Sequence, residues 1–339
     1  LKRWHFWLGV TVSLVFLWLA LRGLDLERFW QALEGAQYLW LVPGVLVYFG
    51  AVWARTWRWH YMLRALKMVP LRRLFPVVTM SYMGNNLFPA RAGEALRAYV
   101  LKRDENVSMS ASFATILVER IFDGLVMLLF VFLTLPLVPD LQPDLRRLVV
   151  LASIAFFGAL VVFLVLASTP ATTRRLYTAL IGRLVPARFR DTSLNLAERF
   201  MEGLIGLRHG RDLAMIFFTS AVVWLLETVK YWFVMHAFPF EVSFFALMLM
   251  NGLANLALTI PAAPGGIGPF DWAGIGTLVA FGVERSLASA YTIVLHVALW
   301  FPITALGAYY FVRMGLTWQE ARRARDENEA QLETSEIVG

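Results

Sequence analysis

The stretch ATILVERIFDGLVML sets Glu119, Arg120 and Asp123 well inside a long apolar run. Arg120 and Asp123 stand three residues apart and Glu119 and Asp123 four apart, so one helix face carries all three. Charged side chains in hydrocarbon cost roughly 2.5–3.5 kcal/mol each on insertion scales. They must therefore pair with one another and face a protein interior. Ionisable residues inside a membrane span mark a functional site by default. A self-satisfied ion cluster that fixes helix packing is the plainer reading, and both stand.

Three other stretches carry residues of the same kind. NNLFPARAGEALRAYV holds Asn85, Asn86, Arg91, Glu94 and Arg97 around Pro89 and Gly93. The asparagines can satisfy backbone groups freed where a helix breaks, and Pro89 and Gly93 permit a turn. The helix after it points free amides into that turn, which suits an anion, with Arg91 beside it. Glu94 and Arg97 share one face and are the natural partners of Glu119 and Arg120. The alternative is a capped turn whose arginines reach water. NGLANLALTIPAAPGGIGPFDWAG holds Asn251, Asn255, Pro261, Pro264, Gly265, Gly266, Gly268, Pro269 and Asp271, a density of Pro and Gly that no uninterrupted helix tolerates. Its backbone amides face a second turn, and Asp271 either starts the next helix or faces a cavity. A dinucleotide loop is excluded there, because no strand precedes the glycines. LLETVKYWF places Glu227 and Lys230 three apart, as an internal ion pair or as a gating or coupling site. His296 lies inside the last apolar run, a candidate for proton linkage. With His5, His60, His209 and His236 it forms no metal-ligand spacing.

The elements that position these residues are membrane helices. Of 339 residues 59% are hydrophobic and only 16% charged, with mean hydropathy +0.61; soluble domains are about 45–50% apolar and about 25% charged. A net charge of +7 comes from arginines beside apolar runs, which fits the positive-inside rule and anionic headgroups rather than nucleic acid. No cysteine is present, so disulfides and thiolate chemistry are excluded. No Walker loop, nucleophile elbow or HExxH occurs, so the expectation is a transporter without cofactor, metal or catalytic residues. The first apolar run lacks a small-residue cleavage site and is expected to stay as a span.

A helix crosses a bilayer in about 20 residues. Six apolar runs meet this, at 4–22, 39–55, 111–136, 148–169, 213–236 and 286–312, and two regions, 74–100 and 243–282, are broken by Pro, Gly and Asn. Arginines and lysines crowd the loop holding Arg55, Arg58, Arg64, Lys67, Arg72 and Arg73, the stretch 91–103, the segment 170–212 and the residues after 312. The remaining loops, 22–38, 136–147 and 237–242, are acidic and poor in cations. Both termini are therefore expected in the cytoplasm. The region 74–100 then enters and leaves from inside, and 243–282 from outside. Opposed re-entrant hairpins imply an inverted repeat whose tips meet near the midplane. The expected fold is an all-α polytopic bundle of about six spans and two re-entrant hairpins. Its parts are a first half, 1–169, a basic amphipathic linker on the cytoplasmic leaflet, 170–212, a second half, 213–317, and a charged tail, 318–339.

Three motifs in this order resemble the transmembrane region of lysylphosphatidylglycerol synthases, a family also described as flippase-like. They are Asn86-Pro89-Gly93-Glu94-Arg97, with the arginine three rather than four after the acid; Glu119-Arg120-Asp123; and Pro264-Gly265-Gly266-Gly268-Asp271, where relatives commonly carry Glu at the last position. The resemblance covers nearly the whole chain and implies handling of a lipid with a phosphorylated headgroup. In fused synthases a similar region moves a lipid that a soluble domain makes, and no such domain is expected in this chain; other relatives are linked to glycosyltransferases on polyprenyl-phosphate carriers or to hopanoid transport. The expectation is a lipid translocase of the cytoplasmic membrane. Arg91, Arg97 and Arg120 would hold the phosphate, and Glu94, Glu119 and Asp123 would orient them or bind an amine. The rivals are a membrane-embedded glycosyl or aminoacyl transferase, or a non-catalytic subunit that docks a synthase or glycosyltransferase through its basic loops.

Overall fold

The computed structural model describes residues 3–88, 92–134, 169–203, 210–260 and 262–317, with scattered residues between 147 and 165. The described residues are helical, without strands. In order they form α1 (Arg3–Leu21), α2 (Leu26–Glu34), α3 (Leu41–Leu63), α4 (Leu71–Leu87), α5 (Ala92–Glu105), α6 (Met109–Thr134), α7 (Pro170–Leu184), α8 (Ala187–Gly203), α9 (Gly210–Met235), α10 (Phe244–Ala257), α11 (Pro269–Ala280) and α12 (Arg285–Arg313). Short 3-10 turns at Tyr38–Trp40 and Pro264–Gly266 join them. Among the described residues three helices, over Tyr38–Leu63, Arg211–Met235 and Arg285–Arg313, are long and apolar enough to cross a membrane, or four spans if the bent pair α1 and α2 counts as one. Helix α6 is as long as α9, 26 residues, but carries the three charges in its middle. The run 148–169, the loop 136–147 and the tail 318–339 lie wholly or mostly outside the described residues.

Burial is inverted relative to a soluble protein. Leu39, Val312, Trp7 and Phe301 are exposed, whereas Arg58, Arg97, Glu119, Asp123, Glu227 and Lys230 are buried. An apolar exterior around a charged interior is the arrangement hydrocarbon demands.

Three expectations are corrected. Arg55 and Arg58 are not loop cations: α3 continues to Leu63, eight residues beyond the expected end, and both arginines are buried on it. The region 22–38 is not a plain loop. It contains α2, which is amphipathic and turns 88° from α1, and Asp25 caps it by accepting from the Glu27 and Arg28 amides at 3.0 and 3.2 Å. The segment 170–212 contains two helices, α7 and α8, rather than one, because Val185 and Pro186 interrupt it.

Among the described residues the two larger of three apolar cores hold the hairpins, and the third packs Ala54, Val126, Trp224 and Met248 of α3, α6, α9 and α10 together. One of the larger two joins α3, α4, α5, α6 and the second half of α12 around Trp59, Met80, Leu96 and Val118. The other joins the end of α9, α10, α11 and the first half of α12 around Tyr231, Met250, Phe270 and Tyr291. Each of these two contains one helical hairpin. In the first, α4 and α5 begin and end together: Arg73 donates to the Glu105 carboxylate at 3.1 Å, and Lys67 lies 2.8 Å from it. The hydrogen bond from Lys67 is the main cause that holds this carboxyl below its ordinary value of 4.5. The hairpin closes on glycine. A Cβ on Gly93 would stand 1.8 Å from the Ser81 carbonyl oxygen, and one on Gly84 would stand 2.6 Å from Gly93 Cα.

The second hairpin, α10 and α11, starts from the other end of α3. The Gln37 amide donates to the Ala237 carbonyl at 2.9 Å and the Asp25 amide to Ser286 Oγ at 3.2 Å, which gathers α2, the loop before α10 and the start of α12. Ser243 caps α10 and Glu284 caps α12. The two hairpins thus start near opposite ends of α3. Their turns approach across Trp300 of α12, whose indole N–H donates to the Asn86 carbonyl at 3.4 Å and lies 2.9 Å from where a Cβ on Gly265 would be.

Candidate functional site

Where the two turns meet, a cavity of about 480 Å³ lies between the cores. One wall is charged and comes from α3, α5, α6 and α9; the other, including Leu258, Ile260, Leu299 and Trp300, is largely apolar.

The charged wall is built around Arg58, which is wholly shielded. It donates to Asp123 Oδ1 at 2.5 Å, to Glu119 Oε1 at 2.8 Å and to Ser220 Oγ at 3.0 Å. Four helices are tied by these contacts, since α3 carries the arginine, α6 the acids, α9 the serine, and α5 adds Arg97. That guanidinium donates to Glu119 Oε2 at 2.7 Å and stacks 4.4 Å above the Trp59 ring. Trp59 is held in turn by its N–H bond to Thr115 at 3.0 Å. Arg55 donates to Glu227 at 3.1 Å and lies 3.6 Å from Asp123, while Lys230 pairs with the other Glu227 oxygen beneath the Tyr48 ring. Trp224 donates to Asp123 at 2.9 Å.

Arg120 differs from these. Its contacts to Glu119, Asp123 and Glu94 are 3.4, 3.6 and 3.8 Å, and its side chain is 40% exposed, against 0% for Arg58 and 5% for Arg97. In this wall five cations, Arg55, Arg58, Arg97, Arg120 and Lys230, face four carboxylates, Glu94, Glu119, Asp123 and Glu227, which leaves one positive charge in excess. The Nε atoms of Arg55 and Arg97 are buried without a hydrogen-bond partner among the described residues. An anion entering the cavity would meet a net cation and a loosely held guanidinium.

The turns contribute the polar backbone. In the first, Asn85 Oδ1 accepts from the Gly93 amide at 3.0 Å, and Asn86 donates to Thr304 Oγ1 at 2.8 Å. Asn85 thus satisfies the broken helix, Asn86 ties it to α12, and both line the cavity. In the second, Gly265 and Gly266 hold φ of +77° and +74° and line it too, as does Asn255, which donates to the Asn251 side chain at 2.8 Å. Asp271 stands behind the wall: it closes the start of α11 by accepting from the Gly268 amide at 2.9 Å and meets His296 at 2.9 Å. Asp123 is likewise behind the cavity surface, bound by Arg58. Arg91 lies outside the described residues.

The structure therefore brings Asn85, Asn86, Glu94, Arg97, Glu119, Arg120, Glu227, Lys230, Asn255, Gly265, Gly266 and His296 to one cavity. Sequence reasoning missed Arg55, which lines the cavity, and Arg58, which is shielded behind it. A signal for them existed. Three acids, Glu119, Asp123 and Glu227, lie deep in apolar runs that hold only Arg120 and Lys230 as cations, and buried acids demand partners. The run TWRWHYML, continuing the apolar helix past Arg55, offered them.

Comparison with known proteins agrees with this inside-out bundle. A UPF0104 membrane protein from Methanothermobacter thermautotrophicus is 28% identical over 332 residues, covering 91% of this chain and 93% of the relative. One from Pyrococcus horikoshii is 26% identical, covering 88% and 93%. Glycosyltransferase AglD of Haloferax volcanii is 26% identical over 261 residues, which are 68% of this chain and 41% of that protein. The family model for the lysylphosphatidylglycerol synthase transmembrane region matches residues 6–307. A charged cavity inside an apolar bundle is thus the interior of an integral multi-pass membrane protein, and the chain belongs to the lysylphosphatidylglycerol synthase transmembrane-region family.

Proposed function

We propose that this protein is a translocase that carries a lipid with a phosphate-bearing headgroup, a phospholipid or a polyprenyl-phosphate-linked lipid, across the cytoplasmic membrane. The observation that carries the reading is Arg120: a half-exposed guanidinium, loosely held, on the wall of a cavity with one excess positive charge. The cavity volume lies within the about 300–1,000 Å³ of small-molecule sites, room for a headgroup while acyl chains stay outside. Its apolar wall suits the glycerol end and the first methylenes. In this reading Arg91, Arg97 and Arg120 hold the phosphate, and Glu94, Glu119 and Asp123 orient the arginines or bind an amine.

In this reading the chain has six spans and two re-entrant hairpins related as an inverted repeat, with halves 1–169 and 213–317, the linker 170–212 on the cytoplasmic leaflet and both termini inside. Removing Arg55 and Arg58 from the loop count still leaves Arg64, Lys67, Arg72, Arg73, Lys102, Arg103 and the arginines of 170–212 on the side this reading places inside, which supports it. Hairpins from opposite ends whose turns meet support alternating access by rocking one half against the other. The match to a protein named a glycosyltransferase favours one further role, in which the cavity presents its lipid to a transferase partner.

The test is lipid transfer in phosphatidylcholine vesicles, read by quenching of fluorescent lipids. Labelled phosphatidylglycerol, phosphatidylethanolamine and a polyprenyl phosphate are compared with labelled diacylglycerol mixed with a nonspecific scrambling control. Protein-dependent transfer of a phosphate lipid is expected. Equal transfer of every lipid, or of none, would count against the reading.

A further inference from the structure

A histidine that the headgroup site does not use packs against the second hairpin turn. His296 on α12 presents one ring nitrogen to each of two neighbours: Nδ1 lies 2.9 Å from Asp271 Oδ1, and Nε2 lies 3.0 Å from the Gly265 carbonyl oxygen. With Asp271 ionised, both neighbours only accept. A neutral imidazole has one N–H and can satisfy one of them. Two contacts at hydrogen-bond distance therefore require one more proton, on the ring or on Asp271 Oδ1. These are two forms of one pair, and the proton belongs to the pair. The other carboxylate oxygen is committed to the Gly268 amide at 2.9 Å.

We propose that the second turn is latched by this dissociable proton, and that its release opens the turn, so that each lipid passage is coupled to one proton. The coupling rests on the translocase reading above; the latch does not. Gly265, Gly266 and Gly268 all hold positive φ, so the turn can swing without side-chain strain. Ser13 of α1 ties one side, donating to the Ile267 carbonyl at 2.7 Å and accepting from the Ala263 amide at 2.8 Å. The tie to α12 is His296. Without the extra proton, a ring lone pair faces either the Gly265 oxygen or the Asp271 carboxylate, and one link breaks. Gly265 also stands against Trp300, which touches Asn86 of the first turn, so its movement alters the constriction between the turns.

The other charges around the cavity pair among themselves. From α9 come Glu227, Lys230 and Tyr231, from α3 Arg55 and Tyr48, from α4 and α5 Tyr82, Glu94 and Arg97, and from α6 Glu119 and Arg120. Their ion pairs link Arg55 and Lys230 to Glu227, Arg97 to Glu119, and Arg120 to Glu94. From α11 the charged neighbour is Asp271, and from α10 the polar one is Asn255. In balance, the closed turn holds one proton on the pair. Opening delivers it to cavity water, and reclosing takes one from whichever side the cavity then faces.

Two variants and two readouts test this. Asp271→Asn keeps an oxygen for the Gly268 amide and offers an N–H to Nδ1, so a neutral His296 latches permanently. His296→Gln removes the titratable ring. In histidine-labelled protein, nitrogen NMR near neutral pH, assigned by the signal missing in His296→Gln, should show both ring nitrogens protonated. The alternative supporting result is a carboxylic acid stretch in the infrared that Asp271→Asn removes. In phosphatidylcholine vesicles with labelled phosphatidylglycerol and an internal pH dye, lipid transfer should move protons. Asp271→Asn should slow transfer by about tenfold, the factor of one charge-assisted hydrogen bond, and His296→Gln should abolish the proton flux. A neutral His296 beside an ionised Asp271 would overturn the latch. Lipid transfer without proton flux would overturn the coupling and leave the translocase reading standing. A protonated pair in a protein that moves no lipid would remove the translocase reading and leave the latch.

Discussion

Arg58 and Asp123, from helices far apart in sequence, meet at 2.5 Å where neither is accessible to solvent to any useful degree. This contact joins α3 to α6, and through Ser220 and Glu119 it recruits α9 and α5. Deep charge here builds the bundle, whereas Arg120 beside it is held at 3.4–3.8 Å and is 40% exposed. The two arginines should therefore respond differently to substitution.

Arg58→Met strands Glu119 and Asp123 without their common donor. Breaking a buried pair from one side costs about 3–5 kcal/mol. The variant should express poorly, and its thermal unfolding midpoint in detergent should drop sharply. An unchanged midpoint would remove Arg58 from the framework.

Gly93→Ala places a methyl group 1.8 Å from the Ser81 carbonyl oxygen. Backbone on both sides must move, at a cost of about 1–3 kcal/mol or more. Thermal stability and lipid transfer should fall together, because the same close approach shapes the first turn. Gly158, with nothing near its Cβ among the described residues, should accept alanine without loss.

Much of this was legible beforehand, for a physical reason. Composition and apolar run length identify membrane helices because hydrocarbon permits little else, and the Pro/Gly breaks at 89–93 and 261–268 locate the turns. The acids Glu119, Asp123 and Glu227 announced an interior site because charge at depth needs a partner. The limit was Arg55 and Arg58. Hydropathy ends a span at the first arginine, whereas α3 continues through two of them because α6 and α9 supply carboxylates. That compensation is tertiary and shows only when charges are balanced across segments. The helix in 22–38 was hidden for a different cause: its amphipathic pattern is short and polar overall, and acidic residues drew attention to topology instead.

Lys230→Met removes one cation while Arg55 still pairs with Glu227. The wall then becomes formally neutral. A unit charge about 10 Å away at an effective dielectric of about 20 is worth roughly a tenfold change in anion affinity. Transfer of phosphate lipids should become correspondingly harder to saturate in a protein that folds normally, measured as the lipid fraction giving half-maximal rate.

Glu105 provides a pH test away from the membrane interior. Lys67 and Arg73 hold its carboxyl below the ordinary value of 4.5, so its contribution is present above that value and is lost as pH falls through the lowered one. Its partners are largely exposed, so the effect is about 0.2–1 kcal/mol. Glu105→Gln should lower the unfolding midpoint slightly at pH 7, and the difference from the unsubstituted protein should vanish in acid. A difference that grows in acid would contradict the assignment.

The central claim is that Arg120 holds a phosphate headgroup. The most direct measurement is the rate of labelled phosphatidylglycerol and polyprenyl phosphate transfer in vesicles for Arg120→Ala, beside the unsubstituted protein, with unfolding midpoints recorded for both. The account predicts a folded variant, with its midpoint close to that of the unsubstituted protein, in which transfer of the phosphate lipid falls at least tenfold, the loss of one charge-assisted contact. A well-folded Arg120→Ala protein that transfers the lipid at the full rate would contradict it.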